Sequence, residues 1–208
     1  MPTAGGGGGK KKKVTPNMTT LLEQAAADEG GWTVGPVQQL KNSQMAQILY
    51  QGRPAMIQVV PRGDLSLRIP FAPSVYRGTG EETRVSCTFE APQSVVEHME
   101  QLEKIIIAKA RDVPHIDALW VSCARHTPHG PQLRCKLNTE GPRKIKLVNE
   151  ALEPLDLPVS ELQQRQAVPI LSVRGVYIQR NQVGLMLDMA ACIVGPKPEP
   201  QAMQIDFL

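Results

Sequence analysis

The sequence predicts a mainly β protein with one central helix, arranged as a closed or nearly closed antiparallel β-barrel of the OB-like kind. A two-sheet β-sandwich is the main alternative. Three observations carry this. Short β-prone runs of about five to nine residues recur from Ala46 onward, separated by Gly/Pro clusters. A single segment switches to the helical period. Two further segments, Leu133-Arg134-Cys135-Lys136-Leu137 and Lys144-Ile145-Lys146-Leu147, alternate apolar and basic residues with the two-residue period of a strand.

Residues 1–40 read as a disordered basic tail with a short helix, 41–194 as the β-barrel domain and 195–208 as a flexible C-terminal tail. The five glycines Gly5 to Gly9 and the four lysines Lys10, Lys11, Lys12 and Lys13 cannot build a core. The lysine run fits a nuclear-localisation signal, which makes the nucleus the expected compartment. Thr20 to Asp28 is a brief helix stopped by Gly30-Gly31. Strands follow at Ile48–Gln51, Ala55–Val60, Ser66–Phe71 and Arg84–Phe89, with turns at 52–54, 61–64 and 78–80.

The helix is predicted from about Gln93 to Arg111. Val95, Met99, Leu102 and Ile106 form its apolar stripe, Ser94 and Glu97 its capping box, and Pro114 lies beyond its end. His115 to Ser122 is read as a strand. The two basic segments then form a hairpin across Gly141-Pro142. Residues 148–164 carry Glu150, Glu153, Asp156 and Glu161 with Pro154 and Pro158, and so form a long acidic connection. A final hairpin pairs Ile170–Ile178 with Val183–Ile193 around Arg180-Asn181.

Composition narrows the function classes. Of 208 residues 41% are hydrophobic, and the net charge is +3. Removing the four tail lysines leaves 19 basic against 20 acidic side chains, so a polyanion site must be a local patch. No apolar run approaches the ~20 residues of a membrane helix, and no secretory apolar core appears near the start. No membrane role and an intracellular setting are therefore expected. Cys87, Cys123, Cys135 and Cys192 are scattered, as reduced thiols are. No phosphate loop, nucleophile elbow or His-Glu-x-x-His helix occurs, so the chain reads as a non-enzyme without a cofactor.

Between Arg125 and Leu147 there are six Lys/Arg and one acid, Glu140. Such a sheet face suits a polyanion, above all nucleic acid. Arg134, Lys136, Lys144 and Lys146 are the expected phosphate contacts, with Arg68 and Arg77 extending the track. Phe71 and Tyr76, bracketed by those arginines, are the rings on which unpaired bases would stack. Cys123, His126, His129 and Cys135 have spacing that could supply a zinc shell, but the Pro128, Gly130 and Pro131 turn and the apolar phase of Cys135 weigh against it. The tip Ile205-Asp206-Phe207-Leu208, on a Pro-rich linker, offers Asp206, Phe207 and Leu208 to a partner's groove.

At Gln47–Tyr50, Met56–Gln58, Ile69–Tyr76, Lys144–Leu147 and Val183–Leu187 the chain resembles a poorly characterised family of nucleocytoplasmic large DNA viruses and protists. Val59-Val60-Pro61 and Ala72 depart from that family's Thr-Pro and glycine. The strand-helix-strand order also resembles the phage-type OB-fold single-stranded DNA-binding proteins, whose acidic, aromatic-tipped tails recruit replication partners. Here the tail holds only Glu199 and Asp206 as acids. The resemblance implies a non-enzymatic module for DNA replication or repair that binds single-stranded nucleic acid, with a replication protein as tail partner. The competing expectations are a self-associating structural or scaffold protein of an assembly or virion, which would be a homo-oligomer, and a zinc-stabilised interaction domain.

Overall fold

The computed structural model describes residues 19–40, 43–60, 66–74, 83–114, 116–179 and 181–197. Eleven strands run β1 (Thr19–Leu21), β2 (Trp32–Gln39), β3 (Gln44–Tyr50), β4 (Ala55–Gln58), β5 (Leu67–Arg68), β6 (Arg84–Glu90), β7 (Ala124–Thr127), β8 (Gly130–Asn138), β9 (Lys146–Val148), β10 (Gln166–Gln179) and β11 (Gln182–Val194) among the described residues. The helices are α1 (Leu22–Ala27), α2 (Gln93–Lys109) and the single turn α3 (Ile116–Leu119). The protein is thus mainly β with one main helix.

The fourteen-residue β10 organises the sheet. Along one side it pairs with β11 through almost its whole length. Along the other it meets β5, β4 and β3 in turn. A register shift between Val173 and Gly175 marks the passage from β4 to β3. Gly175 is required there, because a Cβ would stand 2.5 Å from the Ala46 carbonyl oxygen. The pairings β10–β5–β6–β8–β11–β10 return to their origin. Two of these junctions are single residue pairs, Arg68 with Glu90 and Asp188 with Lys136. The result is a sheet with partial ring closure, consistent with an OB-like fold.

Alternation places the core. In β6, Val85, Cys87 and Phe89 are buried, and opposite them in β8 lie Leu137, Cys135 and Leu133. α2 covers this core with Val95, Val96, Met99, Leu102, Ile105 and Ile106, which includes every residue of the predicted stripe. Its start differs from expectation. Pro92 is the N-cap, no side chain caps the helix, and Gln93 Nε2 donates to Glu97 Oε1 at 3.1 Å, so the Ser94/Glu97 capping box does not form.

Other expectations are corrected. Thr19–Gln39, assigned to the tail, is part of the fold: β1 pairs with β4 and β2 with β3. Trp32 is fully buried, its indole N–H donating to the Ala25 carbonyl at 2.8 Å. Gly31 lets Asp28 and Tyr50 close over this corner, where a Cβ would lie 2.4 Å from Asp28 Oδ2. The predicted strand at His115–Ser122 is instead α3 followed by an irregular segment. Ser66–Phe71 contributes only the two residues of β5.

The basic hairpin is not a hairpin either. β8 pairs with β6, β7 and β11, while β9 lies parallel to β11 from Ala191 to Ile193. Among the described residues, the two segments are linked by one parallel bridge, Asn138 with Lys144. The five residues between them include Gly141, whose φ is +76°. The strands of the final hairpin pair as predicted, while Arg180 of its turn lies outside the described residues.

Candidate nucleic-acid interface

β8 and β11 meet at one pair, Asp188 with Lys136, and then part. The irregular segment Trp120–Cys123 fills the gap they leave. On one side the Val121 N–H donates to the Val183 carbonyl at 2.7 Å, and on the other the Arg134 N–H donates to the Cys123 carbonyl at 2.9 Å. Above this floor lies a cleft of about 580 Å³. Its apolar lining is Val121, Leu185, Met186 and Leu187, and its polar lining includes Arg84, Arg125, Arg134, Lys136 and the ring of Tyr177. Among the described residues, no carboxylate lines it.

Strand alternation explains why the cations converge. Arg134 and Lys136 share the outward face of β8, because Leu133, Cys135 and Leu137 point into the core. Arg84 and Ser86 occupy the matching face of β6, with Ser86 directly opposite Lys136. The Lys136 ammonium donates to Ser86 Oγ at 2.6 Å. Burial holds this ammonium below the ordinary lysine pKa of 10.5, and the charges of Arg84 and Arg134 push the same way. Like charges are therefore crowded here. Burial raises the Tyr177 phenol above its usual 10.0.

Not every cation is equally free. Asp188, 5% exposed, accepts from Arg84 Nη2 at 2.5 Å and from Arg174 Nη1 at 3.0 Å. That carboxylate ties β6, β10 and β11 together beside the junction that closes the ring.

The expected site residues are not gathered in one place. Arg134 and Lys136 are in the cleft. Lys144 and Lys146 are exposed and lie past the end of β8, with Ile145 N–H bonded to the Asn138 carbonyl at 2.9 Å; neither lines the cleft. Arg68 borders a different cavity of about 490 Å³, where it is paired with Glu90 at 3.2 Å and bonded to Gln164. Phe71 is 63% exposed. Tyr76, Arg77, the lysines Lys10 to Lys13 and the tip Asp206 to Leu208 lie outside the described residues.

The zinc candidates are not brought together. Cys123 Sγ donates to Glu103 at 2.9 Å, His126 faces Glu100 at 3.2 Å, and Cys135 sits opposite Cys87 in the β6–β8 ladder. Among the described residues, no group of three or more His, Cys, Asp or Glu is placed to hold a metal ion. Burial pushes the Cys123 thiol well up, and the neighbouring Cys87 thiol and burial do the same to Cys135. None of these helices is long and apolar enough to cross a membrane.

The sequence did not single out Arg84, Arg125 or Tyr177 as site residues. Arg84 carries a legible signal, since Arg84, Ser86 and Thr88 alternate with Val85, Cys87 and Phe89. Tyr177 carries none, because its place in the cleft depends on the long-range β10–β11 pairing.

No protein-family description matches the chain, and no curated protein matches it in sequence. Among solved structures it is similar to the single-stranded DNA-binding protein from bacteriophage Enc34 in complex with ssDNA, at 13% identity and TM-score 0.46, over 81% of this chain and 98% of that one. It is also similar to the C-terminal truncation of the same phage protein, at 12% identity and TM-score 0.46, over 80% and 97%. A third similarity is to gp2.5, a single-stranded DNA-binding protein encoded by bacteriophage T7, at 11% identity and TM-score 0.47, over 67% and 87%.

Proposed function

We propose that this protein binds single-stranded nucleic acid, without catalysis, in the cleft between β8 and β11. The observation that carries the reading is the lining itself: Arg125, Arg134 and Lys136 beside Arg84, which Asp188 shares, with no carboxylate among the described lining residues and a tyrosine ring beside apolar side chains. Cations at the rim suit phosphates, whereas Tyr177, Leu185 and Met186 suit the faces of unpaired bases. Arg125, Arg134 and Lys136 contact phosphates, and Lys144 and Lys146 prolong the track beyond β8. Phe71, exposed on the surface, is a further stacking ring. Tyr76 and Arg77 belong to the same track in this reading. Arg68 is the weakest of the expected contacts, because Glu90 and Gln164 already occupy its guanidinium.

A role in DNA replication or repair, nuclear targeting by Lys10 to Lys13, and docking of a replication protein by Asp206 to Leu208 complete the proposal. Each tail is tested by its own substitution: Lys10–Lys13 to alanine should abolish nuclear accumulation, and Phe207→Ala should abolish partner capture without changing affinity for DNA.

The cleft is tested by the salt dependence of binding to a labelled oligo-dT. Arg134→Ala and Lys136→Ala should each weaken binding and reduce the log–log salt slope by about 0.7, the value for one lost phosphate contact on a single strand. If both variants keep the wild-type affinity and slope, the cleft is not the interface.

A further inference from the structure

Within α2's buried face one residue breaks the apolar pattern. Glu103 is 4% exposed, between Leu102 and Ile105, both buried. Its carboxylate accepts three hydrogen bonds, all from the segment that floors the cleft. Oε1 takes the Cys123 N–H at 2.8 Å and the Cys123 thiol at 2.9 Å, and Oε2 takes the Trp120 indole N–H at 3.2 Å. A buried carboxylate persists only where such donors replace its water. Trp120–Cys123 has neither helix nor strand ladder to hold it, apart from the bond at each flank described above and the bridge of Trp120 to Val183. From the opposite side Gly184 admits this segment closely. A Cβ on Gly184 would stand 2.8 Å from the Val121 carbonyl oxygen and 2.9 Å from the Tyr177 hydroxyl.

We propose that Glu103 is a positioning residue of the cleft: by clamping Trp120 and Cys123 from beneath, it fixes the height of the floor on which the bases of a bound strand lie. This rests on the cleft being the nucleic-acid interface. Glu103 lines no part of the cleft, and its three bonds go to Trp120 and Cys123 rather than to a cation. Its loss therefore changes the non-electrostatic part of the affinity and leaves the phosphate contacts alone. Glu103→Gln keeps an oxygen for Cys123 but sets an amide NH2 against the indole N–H, donor against donor. Removing that N–H with Trp120→Phe relieves the conflict.

The test measures oligo-dT affinity across a salt series for the full-length chain. Glu103→Gln should weaken binding about tenfold at every salt concentration with an unchanged slope, as loss of one buried charged-group hydrogen bond implies. Glu103→Gln with Trp120→Phe should recover most of that loss. Trp120→Phe alone, which removes one of the three donors to Glu103 and leaves its carboxylate in place, should weaken binding by a smaller factor with the slope again unchanged. Folded Glu103→Gln with wild-type affinity, or a weakened variant whose slope falls as well, overturns the proposal. If Glu103→Gln does not fold, Trp120→Phe decides: slope-neutral weakening upholds the clamp, and wild-type affinity overturns it. Arg134→Ala, run alongside, separates the two levels. If Arg134→Ala lowers the slope while Glu103→Gln binds normally, only the Glu103 role falls; if neither has any effect, the cleft reading falls and takes this proposal with it.

Discussion

Lys136 is the residue whose state reports most directly on the cleft. Its ammonium is partly desolvated, bonded to Ser86, and crowded by Arg84 and Arg134, so the charged form is disfavoured in the free protein. A phosphate in contact favours that charged form, which makes the pKa higher when bound than when free. Binding therefore takes up a proton, and affinity must fall as pH rises through the lowered free-state pKa, below the ordinary 10.5. Oligo-dT titrations toward alkaline pH should show this decline, and Lys136→Arg should remove it, since a guanidinium does not titrate there. A wild-type decline that Lys136→Arg leaves unaltered would assign the proton elsewhere. At this scale the sequence was informative wherever alternation governed. Arg134 and Lys136 were placed on an outward face by their apolar neighbours alone, and they are there. The capping box failed because Pro92 already provides an extended entry to α2, leaving Ser94 inside the first turn.

Among the elements, β11 shows how little holds the ring closed where the cleft opens. β8 and β11 share one residue pair, and the Asp188 carboxylate reinforces it through Arg84 of β6 and Arg174 of β10. Asp188→Ala leaves both guanidinium groups without their shared anion. Because Arg84 is 41% exposed, water compensates part of the loss, and the expected destabilisation is about 3 kcal/mol, at the low end for a broken buried pair. Urea unfolding followed by circular dichroism checks this, and a change under about 0.5 kcal/mol would mean that the clasp contributes little. Elements with strong local periods were legible: α2, β6, β8 and the β10–β11 hairpin lie close to where the sequence put them. The two basic segments also have the right period, but period does not name a partner. Lys146 to Val148 found β11 rather than β8, because apolar residues along β11 offered a parallel neighbour. His115–Ser122 failed for the opposite reason: Ile116 to Leu119 forms a single helical turn, too short to show a period.

For the whole molecule, the mainly β class with one main helix was readable from composition and spacing, and the partial ring is consistent with the OB-like choice. The cleft was half readable. Its basic strand was visible, but its other walls come from β10, β11 and the floor, and these meet only through contacts distant in sequence. Tyr177 reaches the site through the β10–β11 pairing, and Trp120–Cys123 through bonds to Val183 and Arg134. Thr19–Gln39 was misjudged because the glycine and lysine run ahead of it dominates the composition of residues 1–40. Trp32 and Leu22, both buried, show that the fold begins earlier.

The most direct test of the central claim is a binding comparison on the full chain with Lys10 to Lys13 changed to alanine, so that the tail cannot supply the affinity. Fluorescence anisotropy of a labelled oligo-dT and of a matched duplex, each at several salt concentrations, would be measured on that variant. The account predicts salt-sensitive binding that prefers the single strand and is weakened by Arg134→Ala. Loss of all binding once the tail lysines are gone, or equal binding of duplex and single strand, would contradict it.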